Sequence, residues 1–103
     1  MFSRCVLFCF MVAHGICSQN ELEKGIALYN QRLEGSVKSS ARPEPITNAI
    51  SHFQYALKNA ATETDAALYL LKSYYFRGKY VHKDKEKQKF DFSKGKELGE
   101  KYI

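Results

Sequence analysis

Tryptophan is absent from the chain, and cysteine is confined to Cys5, Cys9 and Cys17. Everything after Ser18 therefore lacks a disulfide and must be held by packing. Proline and glycine are scarce, at 2 and 6 residues, which is too few for a fibrous or disordered chain. No apolar run approaches the roughly 20 residues needed to cross a bilayer. Histidine is sparse as well. His52 and His82 have no second ligand at helical spacing, which argues against zinc. No glycine-rich phosphate loop and no nucleophile elbow is present. Ser51 and His52 are adjacent, and neighbours on a helix point about 100° apart, so they form no dyad. Glu97 and Glu100 share a face but stand among lysines. The expectation is a non-enzyme, with no catalytic residues, no metal site and no cofactor.

What is present is aromatic and helical. The chain has 103 residues, 45% of them hydrophobic and 26% charged, in proportions that suit one small globular domain. A net charge of +5 permits anionic partners without demanding them. The opening "MFSRCVLFCFMVAHGIC" differs from the rest. Arg4 precedes an apolar run from Cys5 to Ala13, and small residues follow at Ala13, Gly15 and Ser18. This predicts a signal peptide over 1–17 and a secreted or periplasmic mature chain. Cys17 could carry a lipid, but Ile16 crowds the position where lipoprotein processing wants a small residue. A membrane partner is expected only with that lipid.

Apolar spacing predicts four helices in the mature chain. Leu22, Ile26, Tyr29 and Leu33 define the first, with Gly35 as its stop. A loop over 34–45 follows, and Pro45 suits the next helix's first turn. Ile46, Ala49, Ile50, Phe53, Ala56, Leu57 and Ala60 form the second stripe. Thr62 or Thr64 can cap the third helix, which carries Ala67, Leu70, Leu71, Tyr74 and Gly78 on one face. Tyr69, Tyr75 and Phe76 widen its apolar surface, so more than one neighbour must cover it. The Lys-rich stretch 82–91 reads as a helix extension or a solvated insertion. Acids interleave its lysines, which argues against nucleic acid. Phe92, Gly95, Gly99 and Tyr102 mark the last helix, and the absence of a stop signal at Ile103 predicts continuation of the chain.

Leu70, Tyr74, Gly78 and Tyr80 resemble the first helix and glycine turn of a tetratricopeptide repeat. Ala49, Phe53 and Ala56 resemble the small–aromatic–small pattern of its second helix. Leu71 and Ala67 depart from that pattern, and the usual closing proline is replaced near Ala61. Gly95, Gly99 and Tyr102 fit the same slots only if 82–91 is an insertion. An exported protein with "ALYLLKSYYFRGKY" and "FSKGKELGEKYI" also looks like the periplasmic T-component of TRAP transporters.

The resemblance implies an all-α fold of stacked antiparallel hairpins over 18–103. It implies a scaffold that holds another protein or peptide on a concave face. Tyr69, Lys72, Tyr75 and Phe76 are the expected contact residues. The alternative is a solute-handling accessory of a TRAP-type transporter, with a small molecule as its ligand.

Overall fold

The computed structural model describes residues 17–38 and 40–103. The expected signal peptide falls outside the described residues except for Cys17, which is exposed. Among them the fold is all-α, as expected. It comprises α1 (17–30), α2 (Pro43–Ala56), α3 (Glu63–Phe76) and α4 (Lys85–Tyr102), with a π-helical turn Arg77–Val81 after α3. Neighbouring helices run antiparallel. Glu21 and Gly25 of α1 meet His52 and Phe53 of α2, while Gly35 after α1 meets Arg42 before α2. Ala41, before α2, donates its N–H to the Tyr80 carbonyl beyond α3 at 2.9 Å. Gly78 meets Phe92, Leu71 meets Gly99, and Glu63 meets Tyr102.

α2 forms because Pro43 and Pro45 sit in its first turn, where no intrahelical N–H is needed, with Glu44 at the positive end of the helix dipole. Its stripe is buried from Ile46 through Ala56. Leu57 is half-buried just past the helix end, and Ala60 is exposed outside it. Phe53 is completely buried. It stacks on Tyr69 of α3 with centroids 5.3 Å apart, and Tyr69 meets Tyr29 of α1 edge-on at 5.6 Å. On its other side lies Gly25, where an added Cβ would come within 2.5 Å of the Phe53 ring. Gly25 thus belongs to the buried face of α1, together with Leu22.

Three expectations change. Leu33 is not on the α1 stripe: the helix gives way at residue 31 to turns that end at Gly35, leaving Leu33 60% exposed. Gly35 is the expected stop, at φ 73°, a left-handed conformation that glycine adopts freely. Gly78 does not reverse the chain through an unusual dihedral. Its role is clearance, since a Cβ there would lie 2.9 Å from Phe92 and 3.1 Å from Asp91. The stretch 82–91 is no insertion between paired helices. Asp84 caps α4 by accepting the Glu86 N–H at 3.2 Å, and lysines favourable to helix carry it onward from Lys85.

Polar contacts fasten the α1 end of the bundle. Thr62 stands at the N-cap of α3, but its hydroxyl turns away from that helix. It donates to the Ala56 carbonyl at 2.6 Å and shares a hydrogen bond with the buried Ser18 hydroxyl. His52 is half-buried and bonds the Glu21 carboxylate. That hydrogen bond is the main reason the Glu21 carboxyl is held below 4.5; Lys24 assists, and partial burial opposes.

Gly25→Ala gains about 1 kcal/mol of helix propensity, yet forces its methyl into the Phe53 ring. Overpacking of this kind costs about 1–3 kcal/mol, so a net loss of stability is expected in chemical denaturation. Because Glu21 has a lower pKa folded than unfolded, its contribution is present above 4.5 and is lost as pH falls through the folded value. An NMR titration should place the Glu21 midpoint below 4.5, and His52→Ala should move it up toward 4.5.

Candidate functional site

Tyr29, Arg32, Leu71, Lys72, Tyr75, Phe76 and Tyr80 line an open groove of about 350 Å³ between α1 and α3. Helical spacing explains its walls. Leu71, Lys72, Tyr75 and Phe76 recur at one, three and one residues along α3, and Tyr29 near the end of α1 stands three residues before Arg32 in the turn that follows it. The π turn brings Tyr80 to the groove's end, with its ring 5.0 Å from Phe76.

Of the expected contact residues, the structure brings Lys72, Tyr75 and Phe76 to this groove and leaves Tyr69 beside it. Lys72 and Tyr75 are exposed. Phe76 is only 6% exposed and serves as an inner wall, because Arg32 and Tyr80 cover it. Tyr69 is half-buried, with its ring committed to Phe53 and Tyr29; Lys72 reaches its outer face at 5.4 Å. Tyr74 packs in the core and accepts a hydrogen bond from Gln54 at 2.8 Å.

Sequence reading missed Arg32. Its guanidinium lies 4.1 Å over the Tyr29 ring and 5.5 Å from Phe76, while Nη1 donates to the Tyr29 carbonyl at 2.9 Å. The spacing of Tyr29 and Arg32 was a legible signal for their pairing, but not for the helix they face. The groove is basic as well as aromatic. Lys79 adds a cation near Tyr75 and Tyr80, and no carboxylate lines the groove. Cations seated on ring faces are attracted by the ring quadrupole. The arrangement offers flat apolar rings rimmed by N–H donors.

A second cluster binds the π turn to α4. Asp91 is fully buried. Arg77 donates from Nη2 to Oδ1 at 2.8 Å and from Nε to both carboxylate oxygens at 3.2 Å. His82 Nδ1 lies 2.7 Å from Asp91 Oδ2 without an aligned hydrogen bond. His82 was read as lone because its partner lies across a turn. Among the described residues no group of three His, Cys, Asp or Glu is placed to hold a metal ion. No described helix is long and apolar enough to cross a membrane.

Comparison with protein-family models, curated proteins and solved structures finds no match. Asp91→Ala leaves the mostly buried Arg77 without its partner. Breaking a buried pair in this way costs about 3–5 kcal/mol, so the expected outcome is a large fall in denaturation midpoint, with helix content retained below it.

Proposed function

We infer that this protein is an exported helical scaffold, akin to tetratricopeptide-repeat proteins, that binds a segment of another protein along the α1–α3 groove. One observation carries the reading. Two antiparallel hairpins share an interior, and their first helices, α1 and α3, enclose a groove whose walls are tyrosine and phenylalanine and whose rim is Arg32, Lys72 and Lys79. Tyrosine offers a rigid apolar ring with one polar tip, and arginine a planar donor fork; both are over-represented where binding energy concentrates. The rings of Tyr29, Phe76 and Tyr80 are already held by packing, so little of their side-chain entropy is lost on binding.

The groove is open along its length, which favours an extended chain over an engulfed solute; a small-molecule role in a TRAP-type transporter is the weaker reading. The proposed export rests on Arg4 followed by the apolar run from Cys5 to Ala13.

Site-specific photo-crosslinking in the native host tests the binding face. A crosslinker replacing Tyr75 should give a discrete product that weakens when Lys72→Glu is added. The same crosslinker at Lys58, exposed beyond the end of α2, should give none. Equal products at both positions, or none at either, would overturn the assignment of this face.

A further inference from the structure

Glycine inside a helix costs about 1 kcal/mol relative to alanine, so a glycine in mid-helix calls for a reason. Gly25 and Gly78 have one in the close approach of a ring. Gly95 does not. A Cβ there would meet only the Leu71 carbonyl at 3.7 Å, an ordinary contact. What Gly95 does instead is floor a slot. Leu71, Tyr75, Phe92, Gly95, Lys96 and Gly99 enclose about 410 Å³ between α3 and α4, and the surface they present is almost wholly apolar. Phe92 is 42% exposed; it leans on Tyr75 at 5.7 Å and forms the slot's wall.

The same Phe92 and Lys96 border a shallower groove with Lys85, Gln88, Lys89 and Ser93. Along α4, Lys85, Lys89, Phe92 and Lys96 follow at four, three and four residues, so they form one stripe. Among the described residues none of these three lysines is in an ion pair, and no carboxylate lines either cavity. Of the four α4 carboxylates, Asp91 is buried with Arg77 and Glu97 pairs with Lys94, while Glu86 and Glu100 are exposed near the two ends of the stripe, three residues before Lys89 and four after Lys96.

We propose that the α3–α4 face is a docking site for an acidic segment of a partner protein, which inserts one bulky apolar side chain over Gly95 and lays its carboxylates along Lys85, Lys89 and Lys96. Charge decides the occupant. A second copy would bring the same lysine row against this one, and like charges across an interface oppose association. The slot floored by Gly95 holds one inserted side chain, which favours a peptide over a membrane surface. Leu71 and Tyr75 wall both this slot and the α1–α3 groove, so the inference rests on the partner-binding reading above and adds the chemistry of the partner.

The test is a selection of random displayed peptides on the full chain, followed by affinity measurement with the selected peptide. The expected consensus flanks one Leu, Phe or Met with Asp and Glu. Gly95→Leu, which fills the slot, should weaken binding by about tenfold or more, as should Lys89→Glu with Lys96→Glu. Gly95→Ala should melt at or above the parent temperature, which shows that position 95 tolerates a side chain in the fold.

A consensus without acids or without the apolar residue overturns the proposal, as does binding that Gly95→Leu leaves unchanged. If Gly95→Leu is silent while Lys72→Glu abolishes binding, the partner lies in the α1–α3 groove; the scaffold reading then stands and the slot falls. If no peptide is selected, both fall. Binding to phosphatidylglycerol vesicles that is stronger than any peptide binding and sensitive to Gly95→Leu would make a membrane surface the occupant, and the acidic segment would be rejected.

Discussion

The ring of Phe53 resting on the bare backbone of Gly25 is the contact on which the rest of the arrangement depends. Close approach of α1 to α2 is permitted only because residue 25 has no Cβ, and that approach lets Tyr29 reach Tyr69 across the seam. Phe53 in turn stacks on Tyr69, so a single buried ring ties three helices together. Burying a phenylalanine side chain is worth about 1.5–3 kcal/mol. Without a disulfide after Ser18, such packing must supply most of the stability. The α1–α3 groove is a by-product of this seam, since Tyr29 forms one wall and the side chains following Tyr69 form the other.

The fourth helix is held by a different kind of force. Its apolar face is weak, with glycines where bulk would be expected, and Asp91 is its only fully buried residue. A carboxylate in that position is costly unless its oxygens are matched, and the Arg77 fork does so from the turn that leads into α4. Gly78 in the same π turn lets Phe92 sit close above. One short segment, Arg77–Val81, therefore aims α4, closes the groove through Tyr80 and holds the start of α2 through the Tyr80 carbonyl. The widened turn is a joint between these contacts: its bond from the His82 N–H to the Arg77 carbonyl spans five residues.

Much of this was legible in the sequence, and the exceptions have physical causes. The α2 stripe could be read because buried aliphatics at helical spacing have no competing explanation. The Lys-rich stretch was ambiguous because charge alone does not separate a solvated helix from a loop; the cap at Asp84 with Glu86 behind it was the cue that resolves it. Leu33 misled because an apolar residue in phase with a helix does not show where the helix ends, although Gly35 lay two residues away. His52 and His82 were read as isolated because their partners, Glu21 and Asp91, come from other elements. Lys72, Tyr75 and Phe76 were found as a group because they share a helix, whereas Arg32 completes the groove from the turn after α1, and its spacing from Tyr29 does not mark the helix it faces.

By itself the sequence determined the class of the fold and the order of its helices, because apolar periodicity and punctuation by proline and glycine act over a few residues. It also determined that stability comes from packing, since the described chain holds only the exposed Cys17 as a thiol. Which glycines are clearances and which lie open, which charges are paired in the interior and which face outward, and which rings become walls instead of contacts were decided only by the tertiary structure. Those properties belong to pairs of residues far apart in the chain, and the distances between them exist only once the helices have packed.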